Sequence, residues 1–377
     1  MSLLLTNARI VTPDAVLAGT LSVAAGRIAD VQPGRAIASS ALDLGGDYLL
    51  PGAVDLHTDN LERHVLPRAT ARWPSRQALV SHDAQCASAG VTTVFDALNC
   101  GEDGFKSYRG SVFRSGVADL RALADAGLLR AEHYLHLRCE LLAPDMLELL
   151  DEAIDDPRVR LASLMDHGPG VGQYADPDSF RDRRRRDGWP DAVITERMEL
   201  LLERRAAFRG SNAAGLFARV AGRPIVLASH DDRTEAEVAA NHAAGIGISE
   251  FPVTLEAALA AKAHGMRAVA GAPNIVRGGS HTENVAAADL VRAEAVDAFA
   301  SDYVPGSLID AAFRCVTELG FELPEAASFI SSKPADIVGL NDRGRVAPGL
   351  RADFVQVRLH EGVPIVRQAW RLGERIA

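Results

Sequence analysis

Residues that can bind a metal ion or transfer protons follow one predicted buried strand. In the segment LLPGAVDLHTDNLERH (49–64), an apolar stretch gives way to His57, Asp59, Glu62 and His64 within eight positions. His57 and Asp59 are two residues apart, so both side chains point to one face of an extended strand. Imidazole and carboxylate groups bind divalent transition metals and also transfer protons. The segment therefore predicts a metal site or an acid–base site at the end of a strand.

Eight short segments rich in Val, Ile and Leu occur in the central part of the chain. They are GAVDLH, VTTVFDAL, EHYLHLRCE, VRLASLMDH, PIVLASHDD, IGISEF, RAVAGAP and AFASDY. Helix-like segments separate them, for example 75–89, 111–129, 144–155 and 193–220. Strands that alternate with helices indicate parallel βαβ units, and eight such units close a barrel. We therefore predict an α/β fold with a (β/α)8 TIM-like barrel.

Residues suited to metal binding and acid–base chemistry stand at the ends of six of these predicted strands. They are His57, Asp59, Glu140, His167, His230, Glu250 and Asp302. Barrel enzymes have their active sites at these carboxyl ends. A single histidine at such an end is more often a hydrogen-bonded core residue, but seven coordinated placements favour one shared metal site. Mixed nitrogen and oxygen ligands suit zinc, manganese or iron(II) better than calcium.

Both ends of the chain predict a second, smaller domain. Residues 3–48 and the C-terminal segments GRVAPGLRADFVQVRL and GVPIVRQAWRLGERI contain short strands with Gly and Pro turns. Chain termini often lie close together in space. We therefore predict one small β-sandwich domain formed by residues 1–50 and 336–377, and a barrel formed by residues 51–335.

Composition and charge exclude several classes of protein. The hydrophobic fraction of 47% and charged fraction of 24% are typical of a soluble protein with a large core. The net charge of −10 argues against nucleic-acid binding, so an anionic substrate would need a local region of positive charge. No apolar run approaches the ~20 residues that cross a bilayer. Because the N-terminus also lacks the features of a signal peptide, we expect a cytoplasmic protein without membrane or nucleic-acid partners, and a homo-oligomer stays open.

The four cysteines are scattered along the chain. None forms a pair with CxxC spacing. A structural zinc site or a disulfide framework is therefore not expected, and buried reduced thiols are the default interpretation.

The segment NIVRGGSH follows the seventh predicted strand, where barrels often bind phosphate. Its two glycines would let backbone N–H groups approach an anion, and its arginine offers a bidentate fork. The candidate substrate-binding residues are Asn274, Arg277, Gly278, Gly279 and His281. An ordinary turn is the alternative for the glycine pair. The chain has no GxxxxGK[ST] motif, which excludes a P-loop nucleotide site.

The segment RDRRRRDGWP (181–190) is the one dense run of charge in the sequence. A solvated loop or helix face is the simplest interpretation of such a run. It follows the fourth predicted strand on the active-site side, so a role for Arg181–Arg186 as a lid that contacts substrate stays open.

The whole pattern resembles the amidohydrolase superfamily. The matching features are the HxH-like motif His57-Thr58-Asp59, the histidines of later strands, Asp302 after the eighth strand and the closing segment GRVAPGLRADFVQV. A narrower resemblance is to the ribosyl triphosphate diphosphatases of the carbon–phosphorus lyase pathway. It rests on DLHTDNLERHVLPR, HLRCE, LASLMDHGPGVGQY, LASHDD and GAPNIVRGGSHTEN. Most superfamily members have a second histidine where this chain has Asp59.

The resemblance implies roles for individual residues. His57 and Asp59 would bind a first divalent ion, and His167 and His230 a second. Many superfamily members bridge the two ions with a carboxylated lysine, but no lysine stands at a strand end here, and Glu140 is the natural substitute. Asp302 would be the general base that accepts the proton of the attacking water. Zinc is the expected ion, with manganese or iron as alternatives, at one or two ions per chain.

The same resemblance implies the hydrolysis of a phosphoanhydride in phosphonate catabolism. The expected reaction splits the α–β bond of α-D-ribose 1-methylphosphonate 5-triphosphate into the 5-phosphate and pyrophosphate. The alternative is an amidohydrolase that acts on a C–N bond, by opening a cyclic amide, removing an N-acyl group or deaminating. A third interpretation, a non-catalytic scaffold, is disfavoured because every ligand position holds a competent residue.

Overall fold

The computed structural model describes residues 2–68, 71–102, 104–105, 108–280 and 284–377. Within them, sixteen strands form two sheets of eight strands each. The first strands are β1 (Ser2–Val11), β2 (Val16–Ala24), β3 (Arg27–Pro33), β4 (Leu42–Asp43) and β5 (Tyr48–Pro51). The next eight are β6 (Ala53–Thr58), β7 (Val91–Cys100), β8 (Glu132–Glu140), β9 (Val159–Met165), β10 (Val226–His230), β11 (Ile248–Glu250), β12 (Arg267–Gly271) and β13 (Ala298–Ala300). The last are β14 (Phe354–His360), β15 (Val363–Arg371) and β16 (Glu374–Arg375).

Strands β6 to β13 form a parallel barrel in chain order. All six residues of β6 are buried, as expected for strands covered on both faces. The first and eighth strands meet where the backbone of Thr58 bridges Asp302. There, Asp302 N donates to His57 O at 2.9 Å, and Asp59 N donates to Asp302 O at 2.9 Å. The predicted barrel fold is therefore confirmed, and its closure joins two of the candidate site segments.

In the described part of the chain, helices connect the barrel strands and link the last of them to β14 of the second sheet. They are α1 (Asn60–Val65), α2 (Ser75–Ser88), α3 (Arg109–Asp125), α4 (Met146–Ala153), α5 (Pro177–Arg186), α6 (Asp191–Val220), α7 (Glu235–Ala243), α8 (Leu255–Ala263), α9 (Ala272–Arg277), α10 (Ala287–Arg292), α11 (Ser307–Leu319), α12 (Leu323–Ser328) and α13 (Ser332–Ile337). Helix α5 begins where the Asp176 side chain accepts from the backbone N–H groups of Asp178 and Ser179, with Pro177 at the first helical position. Among the described helices, none combines the length and the apolar character that a membrane span requires.

The second sheet uses both ends of the chain, as predicted. Its order is β16-β15-β14-β5-β1-β2-β3, and β4 pairs with β1. Hydrogen bonds join these strands into one continuous sheet, in which β1 is parallel to β4 and β5 and the other neighbours are antiparallel. Side chains from both termini share its core, including Leu5, Leu21, Phe354 and Trp370. Only Gly52 separates β5 from β6, so this sheet leads directly into the barrel.

Candidate active site

A cavity of about 1020 Å³ opens at the carboxyl ends of the barrel strands. Its lining includes five of the residues predicted from the strand ends, namely His57, Asp59, His167, His230 and Asp302. Glu140 is buried behind His167, with its Oε2 atom 2.7 Å from His167 Nδ1. The barrel topology therefore brings together the side chains that the sequence separates by up to 245 positions.

Each of the three cavity imidazoles contacts a carboxylate through its Nδ1 atom. His57 Nδ1 and His230 Nδ1 lie 2.8 Å from the two oxygens of Glu250, and His167 Nδ1 lies 2.7 Å from Glu140. A carboxylate can only accept a hydrogen bond, so Nδ1 carries the hydrogen and Nε2 keeps its lone pair. Carboxylates hold metal-binding histidines in this way in many proteins. All three imidazoles are therefore oriented to bind a cation through Nε2.

The protonation of two of these imidazoles supports the same conclusion. Burial lowers the pKa of His57 to about 4 and that of His167 to about 3. Both are therefore neutral at neutral pH, and a neutral imidazole is the form that binds a metal ion. For His230, burial is outweighed by the Asp231 carboxylate, which raises the pKa of this imidazole.

Three side chains of the cavity form a group that could bind one metal ion. The ligand atoms of His167, His230 and Asp231 all lie within 4.8 Å of one another. Two imidazoles and a carboxylate are a ligand set typical of catalytic zinc. His57, His136 and Glu250 form a second such group, but hydrogen bonds to one another, to Leu56 O and to Ser163 Oγ already use most of their ligand atoms. The residues present therefore fit at least one divalent ion.

Asp231 was missed in the sequence, although it directly follows His230. In an extended strand, adjacent side chains point to opposite faces, which would turn Asp231 away from the barrel axis. Asp231 instead has a φ of +57°, outside the strand conformation. Its side chain lines the cavity and accepts a hydrogen bond from Gln173 Nε2 at 2.9 Å. The strained backbone after the strand is thus what brings Asp231 into the site.

Asp302 lies beside Asp59 at the point where the barrel closes. Burial and the nearby Asp59 carboxylate raise the pKa of Asp302 to about 8. An acid with a pKa near neutral can both accept and release a proton at working pH. Asp302 therefore lies in the cavity as a carboxyl group that can exchange a proton near neutral pH.

Arg138 is a second site residue that the sequence analysis missed. It lies on β8 and lines the cavity, and its Nη1 atom is 3.6 Å from Asp59 Oδ2. The side chain is 8% exposed, and within the described residues its Nε and Nη1 atoms have no hydrogen-bond partner. The signal was present in the sequence, because His136, Arg138 and Glu140 alternate and so share one strand face. Buried donors of this kind suit an anionic ligand.

The cavity is rich in arginine although the chain is acidic. Its described lining includes Arg63, Arg109, Arg138, Arg183, Arg184 and Arg277. Carboxylates from Asp59, Glu62, Asp187, Asp231 and Asp302 lie among them. The mixture offers carboxylates and imidazoles that can bind a cation at the strand ends, and arginines around them that can bind an anion.

The amides of the glycine pair after β12 donate hydrogen bonds within the protein. Gly278 N donates to Ile275 O at 3.2 Å, and Gly279 N donates to Asn274 O at 3.0 Å. Gly278 has a φ of +76° and ends helix α9. Both amides are therefore used at the end of a helix, Gly279 also lines the cavity, and phosphate binding by the pair stays a prediction.

The other predicted substrate-binding residues of this segment are Asn274, Arg277 and His281, of which Asn274 and Arg277 differ in environment. The Asn274 side chain donates to Val285 O at 3.3 Å and accepts from Ala287 N at 3.0 Å, so it holds the following segment in place. Arg277 is exposed and lines the cavity. The predicted residue His281 lies outside the described residues.

The arginine-rich segment is a helix rather than a loop. Arg181–Arg186 belong to α5, and Arg183, Arg184, Asp187 and Trp189 line the cavity. One face of this segment therefore forms a wall of the site.

Known proteins resemble the chain in sequence and in fold. It is 38% identical over 377 residues to alpha-D-ribose 1-methylphosphonate 5-triphosphate diphosphatase from Escherichia coli (strain K12), across 99% of this chain and 100% of the relative. The N-acetyl-D-glucosamine-6-phosphate deacetylase from Mycobacterium smegmatis has 16% identity and a TM-score of 0.65 over 100% of both chains. A solved amidohydrolase has 15% identity and a TM-score of 0.64, over 100% of this chain and 98% of that one. No family model matches the chain.

The two solved structures share the fold alone at these identities, whereas the sequence relative matches the chain from end to end. The predicted resemblance to this diphosphatase family and the predicted hydrolase class are therefore confirmed, and the predicted fold is shared with a solved amidohydrolase. The chain belongs to the family of alpha-D-ribose 1-methylphosphonate 5-triphosphate diphosphatase.

Proposed function

We propose that this protein hydrolyses the α–β phosphoanhydride of α-D-ribose 1-methylphosphonate 5-triphosphate in phosphonate catabolism. The products are the ribosyl 5-phosphate and pyrophosphate. The observation that carries the proposal is one cavity that holds three oriented imidazoles, an acid–base carboxylate and arginines suited to a polyanion. A volume of about 1020 Å³ is sufficient for a sugar triphosphate.

Zinc is the proposed ion, with manganese or iron as alternatives. His167, His230 and Asp231 would hold one ion, and His57 with Asp59 would hold a second. A bound divalent cation supplies Lewis-acid chemistry and makes a nearby water molecule more acidic. Glu250 and Glu140 keep the imidazoles in the orientation and tautomer that bind it.

The chain's own residues then supply the proton transfer and the charge stabilisation. In its ionised form, which a divalent cation bound nearby would favour, the Asp302 carboxylate accepts the proton of the attacking water through one of its oxygens. Arg138, beside Asp59, stabilises negative charge that develops on the phosphoryl oxygens.

Positive charge around the site favours phosphate over a neutral amide as the substrate. A C–N hydrolase remains the second candidate because one protein of the same fold is a deacetylase. Fold alone does not distinguish these chemistries. The arginines favour a phosphate-bearing substrate over a neutral cyclic amide, which would leave the buried donors of Arg138 and Arg184 without partners.

Hydrolysis in ¹⁸O-labelled water tests the proposal. Attack on the phosphorus nearest the sugar places the label in the ribosyl 5-phosphate and none in the pyrophosphate. Label in the pyrophosphate would mean attack on the β-phosphorus, and release of orthophosphate would mean a terminal phosphatase. If no triphosphate is cleaved while ammonia or a carboxylate is released from an amide, the C–N hydrolase is the correct function.

A further inference from the structure

Arg184 occupies an unusual position for a residue of an arginine-rich helix. It lies on α5, lines the cavity and is only 6% exposed. Its guanidinium carbon lies 4.3 Å from the ring centroid of Phe105, 5.0 Å from that of Phe180 and 5.9 Å from that of Tyr174. Aromatic faces hold a guanidinium group without using its N–H donors. The group is thus fixed in place with its donors still available.

Few of those donors are used within the protein. Among the described residues, the one hydrogen-bond partner of the Arg184 guanidinium is Asp187, at 3.4 Å from Nη1. The Nε atom is buried and has no partner in the described part of the chain. A guanidinium group has five N–H donors. A buried group with so few contacts is expected to bind an anion that enters the cavity.

The neighbouring arginines of α5 differ in whether they line the cavity and in which carboxylates already bind them. Arg185 is bound by Asp182 at 2.8 Å and by Asp191 at 2.7 Å, and its side chain is half exposed. Arg186 donates to the Asp182 carbonyl oxygen and is not part of the cavity lining. Arg183 lines the cavity beside Arg184 and also contacts Asp187, at 3.6 Å.

The loop before α5 connects this wall to the candidate metal group. Gln173 donates to Asp231, a member of that group, at 2.9 Å. The adjacent residue Tyr174 contacts the ring of Phe180 at 5.1 Å and lies next to the Arg184 guanidinium. Arg138 lies beside Asp59 at the strand ends, and Arg184 lies next to Tyr174 in the wall of the same cavity. A phosphate chain in this cavity can therefore have partners both at the strand ends and on α5.

We propose that Arg184, with Arg183 beside it, binds the outermost phosphate of the substrate and makes the enzyme select triphosphates over shorter phosphate chains. The proposal rests on the proposed function, which it extends from the bond that is cleaved to the length of the leaving group. Arginine binds phosphate through two parallel N–H···O bonds. Charge-assisted bonds of this kind correspond to a ~10- to 100-fold change in affinity.

The first experiment compares kcat/KM for the ribosyl 5-triphosphate and the ribosyl 5-diphosphate. In Arg184→Met, the ratio of triphosphate to diphosphate kcat/KM should fall by ~10- to 100-fold. Methionine keeps an apolar stem among the three rings and removes the charge. Arg184→Lys should retain part of the selectivity. Arg185→Met is the matched control, because it removes the same charge from the outer face of α5, and its ratio should equal that of wild type.

A second measurement separates this proposal from the proposed function. Calorimetric titration with inorganic tripolyphosphate requires no turnover, and Arg184→Met should lose ~10- to 100-fold in affinity while Arg185→Met should not. If the wild type binds tripolyphosphate through Arg184 but cleaves no ribosyl triphosphate, the proposed function fails and the phosphate subsite stands. Equal binding by wild type and Arg184→Met overturns the subsite. An equal loss of kcat/KM for both substrates in Arg184→Met, together with a lower melting temperature, also overturns it.

Discussion

At the scale of single residues, the Glu250 carboxylate controls two imidazoles at once. Its two oxygens accept hydrogen bonds from His57 Nδ1 and His230 Nδ1, both at 2.8 Å. Although burial opposes ionisation, the surrounding imidazoles, including His57 and His136, hold the pKa of Glu250 well below its usual range. One ionised residue therefore sets the tautomer and the direction of two candidate metal ligands.

Replacing Glu250 with glutamine should weaken metal binding by ~10- to 100-fold. Glutamine has one acceptor oxygen and one NH2 donor in place of two acceptors, so one of the two imidazoles loses its Nδ1 partner. Competition with a chromophoric chelator measures the affinity. Glu203→Gln, on the exposed surface of α6, is the control and should bind metal like wild type. Equal affinities in Glu250→Gln and wild type would show that Glu250 does not orient the ligands.

Asp302 is expected to act on turnover rather than on substrate binding. Asp302→Asn keeps the size of the side chain and removes its ability to accept a proton, so kcat should fall ~10²- to 10⁴-fold. Metal content and KM should stay close to those of wild type. Steady-state kinetics and elemental analysis of the same preparation test this. A higher KM with unchanged kcat would instead make Asp302 a substrate-binding residue.

At the scale of secondary-structure elements, a buried polar network joins helix α2 to strands β7 and β8. Asp96 accepts hydrogen bonds from His82 Nε2 and His133 Nδ1, each at 2.7 Å, and His133 Nε2 lies 3.1 Å from Asp83. Asn60 Nδ2 lies 3.0 Å from His82 Nδ1. The ligand atoms of His82, Asp96 and His133 are close enough for a metal ion, but their hydrogen bonds to one another already satisfy them. The group therefore holds these elements together.

This network should make the stability of the protein depend on pH. Burial opposes a charge on His133, but the Asp96 and Asp83 carboxylates outweigh it and raise the pKa of His133 to about 9. Because the folded pKa exceeds the unfolded value of about 6.5, the stabilisation is complete below pH 6.5 and is lost as the pH rises through 9. The shift corresponds to on the order of 3 kcal/mol.

Urea unfolding at pH 6 and pH 9.5 measures this effect. His133→Gln should be less stable than wild type at pH 6, and the difference between the two proteins should shrink at pH 9.5. His360→Gln, at an exposed position on β14, is the control and should follow wild type at both pH values. A constant difference between His133→Gln and wild type would mean that His133 is neutral in the folded protein.

At the scale of the whole molecule, two features concern charge: its uneven distribution, and the ion pairs that attach the C-terminal segment to the barrel. The chain has a net charge of −10, yet the cavity contains the six arginines named above. Five carboxylates lie among these arginines, so the cavity is less acidic than the rest of the molecule, which favours the entry of anions at the site. At the start of β8, Glu132 contacts Arg343 at 3.0 Å and Arg351 at 2.5 Å, which attaches the C-terminal segment to the barrel.

Removing the charge of Glu132 should destabilise the protein. Although burial opposes ionisation, Arg343 and Arg351 lower the pKa of Glu132 to about 2. Glu132→Gln leaves two buried guanidinium groups without this partner, at a cost of about 2–4 kcal/mol after allowance for the partial exposure of Glu132. Because the folded pKa is depressed, the stabilisation is present above the unfolded value of about 4.5 and is lost as the pH falls toward 2.

Urea unfolding at pH 7 and pH 3 tests this prediction. Glu132→Gln should be less stable than wild type at pH 7, and the difference should shrink at pH 3. Glu361→Gln, in an exposed turn, is the control and should match wild type. A difference below about 0.5 kcal/mol at pH 7, the usual size for surface substitutions, would contradict the prediction.

Local patterns in the sequence determined the architecture of this protein. EHYLHLRCE was predicted as a strand and is β8, because apolar content and length are properties of the segment itself. Once the strands alternate with helices, a parallel barrel follows, and its geometry brings His57, His167 and His230 to one cavity. The contribution of both termini to one sheet was predictable for the same reason, since both ends show the same short strands and turns.

Only the tertiary structure decided which atoms of these residues face a ligand. Asp231 enters the site through a left-handed backbone that the strand pattern does not contain, and the amides of Gly278 and Gly279 are used by the end of α9. On α5, Arg184 faces the cavity because its guanidinium packs against Phe105, a residue 79 positions earlier. Such outcomes depend on contacts between distant segments and on which hydrogen-bond partners are already taken, and neither is a property of residue type or spacing.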